Sequence, residues 1–136
     1  MKYLLLVMFL IFGLPVIIAD CVTHKIPNIY TLLLAYITSI HILFVGVNHL
    51  HVISTAIAFL GLLNMFGLGM GDLKIILLLV IFSEFSTIHD LLIFLCAIFS
   101  IAFMQFLVIR AFTGHWKSNL ALAPSIFFAS ALYLGA

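Results

Sequence analysis

Six apolar runs separated by short polar breaks constrain the fold of this chain more than any other feature of its sequence. The runs cover residues 3–19, 29–47, 52–66, 72–85, 91–109 and 120–134. Apolar residues make up 67% of the chain and charged residues only 7%, whereas a soluble domain carries about 25% charged residues. The pattern predicts an all-α, polytopic membrane helix bundle of about six transmembrane helices, forming a single domain over residues 1–136.

The lengths of the runs are uneven. A helix needs about 20 apolar residues to cross a bilayer, so the runs 52–66, 72–85 and 120–134 need help from flanking residues or a thinner bilayer. Small residues such as Ala56, Ala58 and Gly61 are expected to let neighbouring helices approach closely.

The basic residues predict how the helices are oriented. Lys25, Lys74, Arg110 and Lys117 fall at the odd-numbered connections, and Lys2 is the basic residue on the opposite side. Because short basic connections stay in the cytoplasm, both termini are predicted to be periplasmic. The net charge of +1 gives no strong attraction for nucleic acid. The apolar composition predicts that a lipid bilayer surrounds the chain.

The amino-terminal run raises the question of a signal sequence. Lys2, an apolar stretch and Cys21 resemble a signal peptide, but Asp20 stands where a cleavage site needs small neutral residues. We expect a retained transmembrane helix. Cys21 and Cys96 lack metal-type spacing, and the pair His49 and His51 lacks a third ligand, so no metal or other cofactor is expected.

The chain contains four acidic residues: Asp20, Asp72, Glu84 and Asp90. Glu84 and Asp90 belong to an outward polar connection, which predicts a solvated loop. Asp20 and Asp72 stand where apolar helices meet the predicted cytoplasmic boundary, and ionisable groups at such positions are often functional. A bundle can bring these two helix ends together.

Two interpretations of Asp20 and Asp72 stay open on this pattern alone. If the carboxylates meet in a site of low dielectric, they cannot both ionise cheaply and share one proton. Such a pair can polarise a water and protonate a leaving amine, as in aspartic proteases. Alternatively, Asp72 caps a helix, since Asp is a preferred N-cap residue, and Asp20 is a boundary residue.

The residues around each aspartate favour a site. Asp72 follows Gly67-Leu68-Gly69-Met70-Gly71, and backbone that leaves the helix at membrane depth is tolerated where it lines protein or a cavity. Glycine also leaves room for close approach of a substrate peptide. After Asp20, Pro27 is expected to stop the helix, and Asn28 is expected to cap the next one.

Two motifs carry a resemblance to a known family. Gly69-Met70-Gly71-Asp72 with Lys74 resembles the Gly-x-Gly-Asp-x-Lys signature of type IV prepilin peptidases. Asp20 followed by Lys25-Ile26-Pro27-Asn28 resembles the first motif of that family, and Ala123-Pro124-Ser125 resembles its closing segment. The similarity covers about residues 15–130.

The resemblance implies a specific activity. Members of the family are aspartyl endopeptidases of the bacterial inner membrane that remove the basic leader of pilin or pseudopilin precursors at the cytoplasmic face. Their two motif aspartates are catalytic and correspond to Asp20 and Asp72. The other motif residues are expected to bind substrate or shape the site, namely Gly69, Gly71, Lys74, Lys25, Pro27 and Asn28. The chain resembles the short form of tight-adherence (Flp-type) pilus systems, without the methyltransferase region.

Two other functions compete with this interpretation. Signal-peptide-peptidase or presenilin-like proteases share Gly-x-Gly-Asp, but their other aspartate follows a tyrosine, whereas Ala19 precedes Asp20. A small transporter or assembly subunit could instead use Asp20 and Asp72 for ions.

Lys74 either raises the positive potential near Asp72 or faces lipid headgroups.

Overall fold

The computed structural model of the protein describes residues 2–115 and 120–135, and within these ranges it contains six α-helices and no strand. The helices are α1 (Lys2–Thr23), α2 (Asn28–Val45), α3 (Leu50–Met65), α4 (Met70–Phe82), α5 (Ile88–Thr113) and α6 (Ala123–Gly135). Each helix corresponds to one apolar run, so the predicted all-α class is confirmed. Lys117, one of the basic residues at the odd-numbered connections, lies outside the described residues.

Two of the described helices, Asn28–Val45 and Ile88–Thr113, are long and apolar enough to cross a membrane. Shorter apolar helical segments cover Ile11–Thr23, Leu50–Met65 and Ala123–Gly135. Large apolar side chains are exposed on the two long helices, including Phe44 at 88% and Phe112 at 87%. These features are compatible with membrane association, and the six-span topology with periplasmic termini stays a prediction.

The chain divides into two compact units. The terminal unit combines Met1–Lys25 with Ile93–Ala136, and the central unit is Ile26–Leu92. The terminal unit therefore holds α1, most of α5 and α6, and the central unit holds α2, α3, α4 and the first residues of α5. Each unit contains one of the two aspartates that the motifs single out.

In the terminal unit, α1 packs antiparallel against α6. A Cβ atom added to Gly13 of α1 would lie 2.6 Å from Cδ1 of Phe127 in α6, and Asp20, farther along α1, bonds to Ala123 at the start of α6. Phe94 of α5 meets Tyr133 near the end of α6 in an edge-on arrangement, with ring centroids 6.0 Å apart. These contacts place the end of α1 beside the start of α6.

We expect Gly13→Ala to destabilise the protein, because the new methyl group would overlap the ring of Phe127, which is 3% exposed and enclosed by other groups. Overpacking of this kind typically costs about 1–3 kcal/mol. The melting temperature of the purified protein in detergent measures the effect. Gly61→Ala is the matched control, since Gly61 is also helical but has nothing within 4 Å of an added Cβ. An equal loss of stability in both variants would contradict the proposed contact.

In the central unit, α2 and α3 both pack against α4. Gly71 in the first turn of α4 lies against Ile26, just before α2. At the far end, Nε2 of His41 in α2 lies 2.9 Å from Oε1 of Glu84, just after α4. The two contacts show that α2 and α4 run parallel. The helix α3, which lies between them in the sequence, runs back in the opposite direction.

The buried face of α3 corrects one expectation about small residues. Val52, Ala56 and Leu60, which are spaced four residues apart, are buried, so they share one face of the helix. Ala58 and Gly61 are exposed, because they point away from that face. Close approach through Ala56 agrees with the sequence, whereas the prediction was wrong for Ala58 and Gly61.

A Schellman motif ends α3 and begins the glycine-rich connection to α4. The N–H of Gly67 donates to the carbonyl of Asn64 at 3.1 Å, and the N–H of Leu68 donates to the carbonyl of Leu63 at 3.1 Å. Gly67 has φ = 102°, in the left-handed region where glycine lacks the steric penalty of other residues. Gly67 therefore has a structural role in turning the chain towards Asp72.

Candidate active site

Asp20 lies in the last turn of α1, close to where the sequence places the helix end. The helix continues to Thr23, whose hydroxyl lies 2.7 Å from the carbonyl oxygen of Ala19 and 2.9 Å from that of Lys25 and can donate its one proton to either. His24 follows with φ = 51°, and its N–H donates to the carbonyl of Asp20 at 2.9 Å. The chain thus leaves the helix through His24, before Pro27 is reached.

The side chain of Asp20 is buried, with only 5% of the residue exposed. Its Oδ2 accepts a hydrogen bond from the backbone N–H of Ala123 at 2.9 Å. Ala123 is the first residue of α6, and the positive end of a helix dipole stabilises a nearby carboxylate. The next residue, Pro124, has no N–H to donate. Asp20 is therefore held at the amino terminus of another helix within the terminal unit.

Gln105 of α5 holds the same end of α6 from a second direction. Its Nε2 donates to the carbonyl of Ala121 at 3.2 Å, and its Oε1 accepts a hydrogen bond from Oγ of Ser125 at 2.8 Å. Ser125 is 1% exposed. The residues on both sides of Ala123 are therefore fixed by one amide side chain.

Asp72 lies in the first turn of α4, which begins at Met70, two residues before the predicted start of the run. The N-cap residue is Gly69, in an extended conformation, so the suggestion that Asp72 is the N-cap was wrong. The cause is the glycine-rich segment, which enters the helix earlier than its composition suggests. Asp72 takes the third helical position, where an acidic side chain is also favourable.

The carboxylate of Asp72 turns back over the start of its own helix. Its Oδ2 lies 3.1 Å from the position that a Cβ would take at Gly69, and its Oδ1 is buried. A side chain at position 69 would therefore press on this carboxylate. Gly69 therefore leaves room for the carboxylate of Asp72, and its role in substrate binding or in shaping the site stays a prediction.

Gly71 joins the two motifs within the central unit. A Cβ at this position would lie 3.3 Å from Cβ of Ile26 and 3.5 Å from its Cδ1, so a side chain here would push Ile26 away by a few tenths of an ångström. Ile26 belongs to the segment Lys25-Ile26-Pro27-Asn28. The two sequence motifs therefore meet at the start of α4, next to Asp72.

The remaining motif residues lie around these helix ends. Pro27 is the N-cap of α2, with φ = −59° and ψ = 134°, and its carbonyl accepts from the N–H of Tyr30 at 3.1 Å. Asn28 is the first helical residue, so the expectation that it caps α2 was wrong, because the extended Pro27 already occupies that position. Lys25 and Lys74 are exposed, Lys25 in the terminal unit and Lys74 in the central unit.

The other two acids bond to side chains outside the two motifs. Glu84, with φ = 48°, bonds to His41, whose ring also packs against Phe82 with centroids 5.0 Å apart. Asp90 accepts hydrogen bonds from Thr87 at 2.8 Å and Ser86 at 3.2 Å, and its own N–H donates to Thr87 at 3.2 Å. This reciprocal pattern is a capping box at the start of α5. Glu84 is exposed in the connection, in agreement with the predicted solvated loop, whereas Asp90 belongs to the first turn of α5.

The histidines and cysteines give no metal-ligand cluster in the part of the chain that the structure describes. No group of three or more His, Cys, Asp or Glu side chains is arranged there to hold an ion. His49 is the N-cap of α3, and its ring lies 6.0 Å from that of His51. Cys21 and Cys96 are both exposed, free thiols.

Comparisons with protein-family models, with curated proteins and with solved structures gave no match for this chain. A functional assignment therefore depends on the two motifs and on the surroundings of Asp20 and Asp72.

Sequence reasoning missed the partners that hold Asp20. Pro124 was noticed as part of a motif, but neither the bond from Ala123 nor the role of Gln105 was predicted. The signal in the sequence was Gln105 itself, a polar residue inside the apolar run 91–109. Because buried polar groups need hydrogen-bond partners, its position indicates a polar contact with another helix.

Proposed function

We propose that the protein is a membrane aspartyl endopeptidase that removes the basic leader of type IV or Flp-type pilin precursors. The observation that carries the proposal is that each motif aspartate is held at a helix start, Asp20 by the first N–H of α6 and Asp72 within the first turn of α4. Ionisable groups kept in such places within an apolar chain cost free energy and are often functional. Asp90 also lies in the first turn of a helix, but its carboxylate is bonded by Ser86 and Thr87 of its own capping box, and Glu84 bonds to His41.

Asp20 and Asp72 act together in the proposed reaction. One carboxyl group is ionised and accepts a proton from a water molecule, whose oxygen attacks the scissile carbonyl carbon. The other is protonated and donates its proton as the carbonyl develops charge. When the tetrahedral intermediate collapses, the C–N bond breaks and the leaving nitrogen takes the proton that the first carboxyl group accepted from water. One hydroxyl of the intermediate returns its proton to the second carboxyl group, which restores the pair. The products are a carboxyl group on the leader and an amino group on the mature pilin.

The charge distribution within each unit supports a cytoplasmic position for this chemistry. In the terminal unit, Asp20 near the end of α1 and Gln105 in the second half of α5 both bond to the start of α6. Lys25 follows the end of α1, and Arg110 lies in the last turn of α5. In the central unit, Lys74 lies one turn into α4, close to Asp72. Basic residues favour the cytoplasmic side, so we propose a six-span bundle in the bacterial inner membrane with periplasmic termini.

The substrate would be a precursor with a basic leader followed by an apolar helix. The exposed apolar helices of this chain can receive that apolar helix in the bilayer, which would place the leader junction at the cytoplasmic boundary. Such docking turns the attack on the peptide into an oriented reaction. The packing of Gly71 on Ile26 supports the involvement of the segment after Asp20 in forming the site beside Asp72.

Cleavage of a purified precursor tests the proposal. The purified chain in detergent, incubated with an Flp-type pilin precursor, should cut once at the junction between the basic leader and the apolar helix, as mass spectrometry of the products would show. Cleavage should persist in EDTA, because the proposed chemistry uses two carboxylates.

The same assay separates the competing functions. Cuts inside the apolar helix would favour a presenilin-like protease. Intact precursor, combined with proton or ion uptake into vesicles that depends on Asp20 and Asp72, would favour the transporter. Loss of cleavage in EDTA with recovery on adding a divalent ion would contradict the aspartyl mechanism.

A further inference from the structure

The polar contacts around the start of α6 form a connected set, which we call the α6 clamp: Asp20, Gln105, Ala121, Ala123 and Ser125. Gln105 bonds to Ala121 on one side of Ala123 and to Ser125 on the other, at 3.2 Å and 2.8 Å. Asp20 accepts the N–H of Ala123 between them, at 2.9 Å. All five residues belong to the terminal unit.

The carboxylate of Asp20 depends on the N–H of Ala123 because the neighbouring residues of α6 offer few other free N–H donors. Pro124 offers no N–H, and the N–H of Ile126 is already donated to the carbonyl of Leu122 at 3.1 Å. Ala123 is fully buried, at 0% exposure. A shift of the first turn of α6 would therefore move the donor that holds the carboxylate of Asp20.

We infer that Gln105 and Ser125 are positioning residues for cleavage, fixing the start of α6 so that Ala123 holds Asp20 in its reactive orientation. This inference rests on the proposed function of Asp20. Neither residue needs to touch the substrate. Their effect is transmitted through the backbone of α6, and a misplacement of about 1 Å at a reacting group can cost on the order of 100-fold in rate.

Two substitutions interrupt the α6 clamp without changing Asp20. Gln105→Met keeps the length of the side chain and removes both of its hydrogen bonds. Ser125→Ala removes one hydroxyl and leaves the acceptor on Gln105. Ser130→Ala is the matched control, since Ser130 is also in α6 and 1% exposed, but its hydroxyl bonds to the carbonyl of Ile126 in its own helix at 2.7 Å.

We expect Gln105→Met and Ser125→Ala to lower kcat by about 10- to 100-fold, with KM changed by less than about threefold because substrate docking is retained. Ser130→Ala should keep the parental kcat. A parental kcat in both clamp variants, or an equal fall in Ser130→Ala, would overturn the inference. The proposed function is tested separately, because it requires that Asp20→Asn lose activity whatever the clamp variants do. If Gln105→Met does not accumulate, the comparison of Ser125→Ala with Ser130→Ala decides the question.

A second measurement does not depend on cleavage. The Tm in detergent is compared for Asp20→Ala, Gln105→Met and the double variant. Because both residues hold the same end of α6, the combined loss of Tm should be smaller than the sum of the single losses. Additive losses would show that Asp20 and Gln105 are uncoupled and would overturn the inference, whatever reaction the protein catalyses.

Discussion

Replacing either Asp20 or Asp72 with asparagine should abolish precursor cleavage while the protein still inserts and accumulates. Asparagine has nearly the shape of aspartate and keeps an oxygen that can accept the N–H of Ala123, so packing is little disturbed. It cannot take up or release a proton in the working range, so the acid–base cycle stops. General acid–base catalysis is worth about 10²- to 10⁴-fold in rate, a loss that a gel assay of precursor processing detects easily.

The other two acids provide matched controls. Glu84→Gln and Asp90→Asn also exchange a carboxylate for an amide of the same shape, and each amide oxygen can still accept the hydrogen bonds that His41 or Thr87 and Ser86 make now. Both variants should cleave at the parental rate. Near-parental activity in Asp20→Asn would disprove the two-aspartate mechanism. Inactivity in Asp90→Asn instead would disprove the assignment of both motifs.

The helical class was predictable from sequence because it depends on local composition. When water is absent, a helix is the structure in which an apolar run satisfies all its backbone hydrogen bonds within itself, and each of the six runs corresponds to a helix. The ends were less predictable. The helix α4 ends at Phe82, before the apolar Phe85, because Glu84 takes a left-handed backbone conformation that hydrophobicity does not reveal.

Within the candidate site, the sequence motifs singled out Asp20 and Asp72 but did not predict most of the contacts that hold their side chains. The bond from Ala123 to Asp20 joins residues 103 positions apart, and no local pattern encodes such a pairing. The pair of His41 with Glu84 likewise joins different elements. Both contacts arise from the packing of helices, which leaves polar groups facing each other and makes their hydrogen bonds necessary.

The glycines before Asp72 show why one motif can hide several causes. Gly67 has a positive φ and ends α3. Gly69 is the N-cap of α4 and leaves room for the carboxylate of Asp72, and Gly71 leaves room for Ile26. The sequence pattern suggests one explanation for all three, namely irregular backbone with space for a substrate. The three-dimensional structure distinguishes the turn, the cap and the packing contact.

Gly71→Val should reduce cleavage by about 10- to 100-fold, because the added side chain would force the first turn of α4 away from Ile26 and move Asp72 with it. Even a Cβ at this position would lie 3.3 Å from Cβ of Ile26, and the branched carbons of valine extend farther. Gly61→Val is the control, since an added Cβ there has nothing within 4 Å. The readouts are kcat on the pilin precursor and Tm in detergent.

A second substitution decides whether Gly71 makes room for Ile26 or for the substrate. Ile26→Ala removes the carbons beyond Cβ that the branches of valine would meet, namely Cδ1 and Cγ1 at 3.5 Å and 3.7 Å from the added Cβ position, and keeps the Cβ at 3.3 Å. If packing against Ile26 is the constraint, Gly71→Val combined with Ile26→Ala should recover a large part of the activity that Gly71→Val loses, although Ile26→Ala alone lowers stability. If glycine is required for close approach of the scissile peptide, the double variant should stay as inactive as Gly71→Val. Recovery would therefore assign Gly71 to the junction between the two motifs, where it holds Asp72 in place without contacting the precursor.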